Sequence, residues 1–232
     1  MTTPSKPERV HHPLFARAYA RLAPSAESAG VAEHRDELLA GLRGRVVEIG
    51  AGPGLNFAHY PATVSEVVAV EPEPHFRRRA AAARSEVPVH LVAGTAAALP
   101  LADQSVDAAV FSLVLCSVGS PAAALAEAVR VLVSGGELRY YEHVRSQDVR
   151  AGRRQDRFDR VWPYVAGGCH CSRETESAIA AAGFTVTHVR RFEFEPRGIA
   201  LPVSPHVIGS AVWRSAQPRL PGRAERTVRP ET

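Results

Sequence analysis

Glu48-Ile-Gly50-Ala51-Gly52-Pro-Gly54 ends a short β-branched run with three glycines in alternation. Glycines at such a point let the backbone turn sharply and come within contact distance of a ligand. A dinucleotide fingerprint would read Gly-x-Gly-x-x-Gly, but here the third glycine arrives one residue early, behind Pro53. Pyrophosphate would also gain nothing from Glu48, whereas a ligand with a positive amino-acid end and no phosphate would. Asn56 extends this loop. Glu71 and Pro72 follow the next run, Glu71 standing 21 residues after Gly50, where a carboxylate accepts hydrogen bonds from both hydroxyls of a ribose. Charge-assisted bonds of that kind contribute about 1.5–3 kcal/mol each. Gly94-Thr95-Ala96 forms a turn suited to a purine edge. Leu99-Pro-Leu-Ala-Asp103-Gln-Ser-Val-Asp107 then places two acids before a run that ends at Ser112 and Leu113.

Two histidines sit where proton transfer would be useful. His143 is at the carboxyl end of a predicted fifth strand, the side on which ligands of an α/β sheet lie, and His206 follows Pro205 before the last predicted strand. A neutral imidazole within hydrogen-bond reach of an acceptor would take its proton; a histidine at a strand end equally serves as a hydrogen-bonded packing residue. Cys116 reads most simply as a small buried residue. Cys169-His170-Cys171 offers metal-binding side chains, but three consecutive residues make poor tetrahedral geometry and lack the Cys-x-x-Cys spacing, so no metal is expected. A redox-active thiol there would need a depressed pKa, which a sequence does not display. Cys116, Trp162, Cys169 and His170 are the candidate residues for lining an acceptor pocket.

The elements that must position these groups follow from periodicity. Leu14–Leu22 and Val31–Leu42 have helical spacing, and short apolar runs at Arg45–Gly50, Glu66–Glu71, Val87–Val92, Val106–Leu113 and Gly136–Val144 alternate with helical segments such as Pro121–Leu132. That order predicts an α/β, doubly wound, Rossmann-like fold with helices on both faces of a mostly parallel sheet. Arg153–Val165 reads as one helix with Phe158, Val161, Trp162 and Val165 on an apolar face, suited to a lid. A helix over Arg173–Ala182 and a late antiparallel pair near Phe184–Glu195 and Val207–Ser215 complete the pattern. The expected organisation is a single domain over 13–217, with helices in 13–44, a cofactor core in 45–144, a lid and acceptor region in 145–183 and the last strands in 184–217. Pro-containing segments 1–12 and 218–232 read as mobile tails.

Composition bounds the rest. The chain has 232 residues, 45% apolar and 22% charged, with a formal charge of +4, which suits one large domain and gives weak electrostatic capture of phosphates. No nucleic acid is expected as a partner. No apolar run reaches the roughly 18 residues a membrane helix needs, and Met1–Arg9 lacks the apolar core of a signal peptide. Three cysteines, an odd number, point to reduced thiols in a cytoplasm.

In combination, the glycine loop, Glu71 and the Leu99–Asp107 segment resemble the motifs of class I S-adenosylmethionine-dependent methyltransferases. The resemblance covers Arg45–Val144 and implies a seven-stranded sheet and S-adenosylmethionine as cofactor. It assigns Glu48, Gly50, Ala51, Gly52, Gly54, Asn56, Glu71, Pro72, Gly94, Thr95, Ala96, Ser112 and Leu113 to its binding. Thr95, where that class often carries an acid, and Ser134, where it often has proline, depart from the pattern. Leu113-Val-Leu-Cys116-Ser-Val118, Glu142-His143-Val144, Gly168-Cys169 through Arg173-Glu174 and Pro205-His206-Val-Ile-Gly209 look like the corresponding segments of the methyltransferase-like alkyl thiol S-methyltransferases. This chain has His170 where those animal enzymes have asparagine, and no counterpart of their hydrophobic membrane anchor is expected. The implied activity is methylation of a small-molecule thiol, with a dithiol natural product of secondary metabolism as one acceptor. The expected protein is a cytoplasmic monomer or weak homo-oligomer. Methylation of a quinone, phenol or lipid amine is the alternative, and a catalytically silent cofactor-binding module is a further one. An oxidoreductase is disfavoured by the glycine spacing.

Overall fold

Val46, Val47 and Ile49 in one run and Val67, Val68 and Val70 in the next are β-branched, and such side chains favour a pleated backbone. In the computed structural model, which describes residues 13–214, these runs are β1 (Gly44–Ile49) and β2 (Val64–Val70). They join β3 (Val89–Val92), β4 (Val106–Ser112), β5 (Leu132–His143), β6 (Phe184–Glu193) and β7 (Pro205–Trp213). The result is one seven-stranded sheet in the order β3-β2-β1-β4-β5-β7-β6. The β1 to β5 pairings are parallel, and β7 is antiparallel to both β5 and β6. The mostly parallel sheet and the late antiparallel pair are those expected from the sequence. The proposed tail segments lie outside the described residues.

Alternation along the strands divides the core into two layers. Val47, Ile49, Ala109, Phe111, Leu138 and Tyr140 face α4 (Pro121–Val131) and α7 (Thr175–Ala181), which contribute Leu125, Ala128 and Ile179. Val46, Ala108, Val110, Tyr141 and Ile208 face the other way, onto Leu38 and Leu39 of α2 (Ala32–Leu39) and Ala80 of α3 (Pro74–Ala80). Near-complete burial on both faces is why these runs are continuously apolar. Ser120 caps α4, its hydroxyl accepting from the Ala123 amide at 3.2 Å, and Pro121 occupies the first turn. α3 was not legible in the sequence: it is a seven-residue helix whose last turn carries Arg77, Arg78 and Arg79 and which shows little apolar periodicity, started by Glu73 and Pro74.

α1 (Pro13–Ala26) lies against α3, with Tyr19 edge-on to Phe76 at 5.9 Å between ring centroids. The single helix expected over Arg153–Val165 is instead two, α5 (Val149–Phe158) and α6 (Trp162–Val165). Pro163 cannot continue an incoming helix but starts a new one, and Asp159 at the break accepts hydrogen bonds from the amides of Cys171 and Ser172 at 2.8 and 3.2 Å. The apolar stripe is therefore dispersed. Phe158 still stacks on Trp162, but Val161 and Val165 are exposed.

β7 carries Gly209 opposite Tyr140 of β5. A Cβ at Gly209 would run into the Tyr140 ring and would stand 2.7 Å from the His188 carbonyl oxygen. Gly209 thus makes room for a fully buried aromatic ring. Gly209→Ala is expected to cost about 1–3 kcal/mol by overpacking, read as a lower urea midpoint at unchanged m-value.

Candidate active site

β1 and β4 are neighbours in the sheet but not in the chain, so their following loops diverge and leave a crevice at the strand ends. Gly50 and Gly52 line it with φ of +70° and +56°, a region costly for other residues. A side chain at Gly50 would meet Val114 Cγ2 at 2.7 Å, whereas Gly52 has open space where its side chain would be. The Gly52 amide donates to Glu71 Oε2 at 2.8 Å, and the Glu73 amide donates to Glu71 Oε1 at 2.8 Å. Glu71 thus holds the glycine loop while each oxygen keeps a further lone pair for a ligand. Burial raises its pKa.

The crevice opens into a cavity of about 540 Å³. Of the sequence candidates, Glu48, Gly50, Ala51, Gly52, Asn56, Glu71, Pro72, Thr95, Ala96, Ser112 and Leu113 line it, together with Cys116, His143, Trp162, Cys169 and His170. Gly54, Gly94 and His206 do not. Gly54 is a packing glycine, where a Cβ would press on Phe57 and Ala83 at 2.7 and 2.9 Å; at Gly94 it would meet Pro100 and Val70, each at 2.9 Å. α1 adds Phe15 and Tyr19 to the wall, which sequence reasoning had not included.

Glu48 is buried between two donors, the candidate Asn56 and Tyr60, the latter of which the sequence did not reveal. Asn56 Nδ2 donates to Oε1 at 2.8 Å and the Tyr60 hydroxyl to Oε2 at 2.9 Å. Burial pushes its pKa up to about 7. A cationic group arriving in the cavity would therefore favour its ionised form. Arg35 also lines the cavity while only 4% exposed. It donates to Asn56 Oδ1 at 2.7 Å and pairs with Glu27 at 2.9 Å. Its signal was an arginine on the apolar stripe of α2, four residues after Val31 and three before Leu38. The two ends of an amino acid thus have a carboxylate and a guanidinium at hand in one wall.

The opposite wall hangs from Glu142, completely buried at the end of β5. Its Oε1 accepts from the amides of Val114 and Leu115 at 3.0 and 2.9 Å, and its Oε2 accepts from the Cys116 amide at 3.0 Å. Leu113, at the start of this turn, has φ +60°, a conformation uncommon for a side chain that large. These contacts bring Cys116 beside His143. Cys116 Sγ is 3.5 Å from His143 Nδ1, Cys169 Sγ is 3.4 Å from the same nitrogen, and the two sulfurs are 3.8 Å apart. The hydrogen bond it shares with Cys116, with further help from His143, holds the Cys169 thiol well below its ordinary pKa, while the Cys116 thiol is raised.

Cys171 turns away from this group, its Sγ lying 3.0 Å from Asp159 Oδ1. His170 Nδ1 is 3.5 Å from Asp159 Oδ2. The consecutive Cys-His-Cys thus splits between two neighbourhoods. His206 lies behind the wall, with its Nδ1 2.7 Å from the Ser204 carbonyl and its ring 4.5 Å from that of His143. Burial lowers its pKa to about 3. A neutral, enclosed imidazole that does not border the cavity is a packing residue, which removes His206 from contact with an acceptor.

The sheet order, the glycine loop and the two acids at the strand ends define a class I S-adenosylmethionine-dependent methyltransferase. A model of the methyltransferase domain matches residues 47–140. The chain is 37% identical over 183 residues to mouse thiol S-methyltransferase TMT1B, covering 75% of this chain and 73% of that one. It is 32% identical over 173 residues to human thiol S-methyltransferase TMT1A, covering 72% and 70%. A SAM-dependent methyltransferase from Thermotoga maritima shares the fold, with a TM-score of 0.61 at 23% identity, over 84% of this chain and 98% of that one. The chain belongs to the family of these thiol S-methyltransferases.

The His206 environment generates a stability prediction. Its folded pKa lies below the usual value of about 6.5, so the unfolded chain binds the extra proton and stability falls as pH drops through 6.5. The loss is about 2 kcal/mol between pH 6.5 and pH 5. Urea unfolding of wild type and His206→Gln across that range should show a shallower slope in the variant.

Proposed function

We propose that this protein transfers a methyl group from S-adenosylmethionine to the thiol of a small molecule, and that a dithiol natural product is the acceptor to test first. The observation that carries the reading is that one cavity joins Glu71, Glu48 and Arg35 on one side to the sulfur and imidazole corner of Cys116, His143 and Cys169 on the other. The names of the TMT1B and TMT1A relatives support the same chemistry.

The residues present fit the cofactor. Glu71 retains acceptor capacity for a ribose, the open face of Gly52 leaves room for the ligand against the loop, and Thr95 and Ala96 suit a purine edge. Glu48 and Arg35 supply opposite charges for an amino group and a carboxylate. When bound, S-adenosylmethionine supplies a methyl group made electrophilic by its sulfonium. The chain has to bring the acceptor sulfur into line and favour its thiolate, the attacking species. An ordinary thiol has a pKa of about 8.5, so a few per cent is already ionised at neutral pH and one proton acceptor suffices. His143 is the imidazole at the corner, and we assign it that role. Phe15 and Tyr19 from α1, with Trp162 and the 166–170 segment, enclose the cavity and exclude water. This cover replaces the lid expected from Arg153–Val165 alone.

We further propose a cytoplasmic protein that is a monomer or a weak homo-oligomer and takes no nucleic acid. Among the described residues no helix is long and apolar enough to cross a membrane.

With S-adenosylmethionine and a matched panel of alkyl thiol, aryl thiol, vicinal dithiol, phenol and amine, mass spectrometry should show methyl gain on the thiols. Gain on the phenol or amine alone would overturn the sulfur assignment. His143→Ala should lower kcat/KM for an alkyl thiol by about 10²–10⁴-fold and for a more acidic aryl thiol by less. Equal losses for both would remove His143 from the proton transfer. Arg35→Met should weaken S-adenosylhomocysteine binding by roughly 10–100-fold, as expected for a lost charge-assisted contact, measured by calorimetry.

A further inference from the structure

The corner formed by Cys116, His143 and Cys169 has the dimensions of a metal site. Their ligand atoms all lie within 4.8 Å of one another, and the separations form a nearly regular triangle. Sγ to Sγ is 3.8 Å, and the two Sγ to Nδ1 distances are 3.5 and 3.4 Å. A tetrahedral zinc ion with Zn–S of about 2.3 Å and Zn–N of about 2.0–2.1 Å sets ligand edges of about 3.8 Å between sulfurs and about 3.5–3.6 Å between sulfur and nitrogen. All three edges of the triangle agree with these values to within about 0.2 Å, the tolerance a metal site allows.

The three ligands come from separate segments that backbone contacts hold together. Glu142 fixes the Cys116 amide. His143 is the last residue of β5. The His170 amide donates to the Cys116 carbonyl at 2.8 Å, tying the 167–171 turn to the turn after β4. Gly168, with φ +86°, permits that approach, because a Cβ there would stand 2.8 Å from the Ser117 carbonyl oxygen. Arg173 reinforces it by donating to the carbonyls of Leu115 and Val118 at 2.5 and 2.6 Å. Such a triangle is preorganised before any ion arrives.

Charge favours zinc as the occupant. Two cysteine thiolates and Zn²⁺ sum to zero, which an apolar, buried corner tolerates, whereas two bare thiolates 3.8 Å apart would repel without compensation. Thiolate and imidazole ligands are those zinc takes, and two cysteines with one histidine leave a fourth position open in catalytic sites. Cys116, His143 and Cys169 all line the cavity, so an ion at their centre borders it.

We propose that Cys116 Sγ, His143 Nδ1 and Cys169 Sγ bind one Zn²⁺ ion, whose fourth position takes the acceptor thiol as a thiolate. On loading, the two cysteine S–H bonds break, two Zn–S bonds form and both protons pass to solvent, while His143 donates its Nδ1 lone pair and keeps its proton on Nε2. When the acceptor enters, its S–H bond breaks, a third Zn–S bond forms and its proton passes to solvent. No electron is gained or lost. His143 then acts as a ligand, and the ion performs the thiolate stabilisation that the metal-free chain would ask of the imidazole. The acceptor half of this proposal rests on the thiol reading above; the metal half rests on the triangle alone.

Metal content and cobalt spectroscopy of the full chain test the two halves separately. Elemental mass spectrometry after dialysis should find one zinc per chain in wild type and in Cys171→Ser, and none in Cys116→Ser or Cys169→Ser. S-adenosylhomocysteine binding by each variant checks that it has folded. Cobalt(II) substitution should give a thiolate-to-cobalt charge-transfer band that grows by about half when an alkanethiol adds a third sulfur ligand. Failure of the folded wild type to take up zinc or cobalt overturns the site, as does full retention by the Cys116→Ser/Cys169→Ser double variant. A cobalt band unmoved by saturating alkanethiol overturns the open position. Undiminished thiol methylation by metal-stripped protein would sink the metal's role and leave the thiol reading standing. Stoichiometric zinc with no thiol methylated would do the reverse.

Discussion

Glu142 holds together the part of the molecule on which both halves of the cavity depend. One buried carboxylate accepts three consecutive amides at the turn after β4, and this turn carries Leu113 toward the cofactor wall and Cys116 toward the acceptor corner. Burial raises the Glu142 pKa, and the three amides work in the opposite direction. Removing the carboxylate would leave three backbone donors without their partner at the end of a buried strand, which costs far more than one exposed hydrogen bond. The left-handed Leu113 is held by the same arrangement, with its amide on the Tyr141 carbonyl at 2.6 Å.

Burial of acids is the common theme of the site. Glu48, Glu71 and Glu142 stand at the ends of β1, β2 and β5, all nearly inaccessible, and all with pKa values raised by that burial. Each is offset by donors from the chain: side chains at Glu48, backbone amides at Glu71 and Glu142. This division has a chemical consequence. Glu142 is committed to structure, whereas Glu48 and Glu71 border the cavity and gain from a ligand that brings a cation or hydroxyl donors.

Much of the fold was legible because it rests on local rules. Strand alternation, the Ser120-Pro121 helix start and the glycine loop each depend on a few adjacent residues, and the sheet followed from their order. Where a local rule met competition, the reading lost detail. Pro163 divided the Arg153–Val165 helix and left Val161 and Val165 exposed, while α3 was too short and too rich in arginine to show a period. Gly54 and Gly94 shared the motif but pack against Phe57 and Pro100 instead of bordering the cavity, because a glycine's type does not state which neighbour needs the space. Tyr60 offered no sequence signal as a Glu48 partner.

The chain's sequence by itself determined the sheet, the glycine turn and the acids Glu48 and Glu71, since strand period and turn chemistry are set by neighbouring residues. It also singled out Cys116, His143 and Cys169 one at a time. Only tertiary structure decided that these three meet, that Cys171 and His170 face Asp159, and that His206 packs behind His143. The contacts among Cys116, His143 and Cys169 join residues 26 to 53 positions apart, and their geometry depends on how the β4 and β5 ends and the 167–171 turn pack in space. Spacing along a chain carries no direct record of that packing.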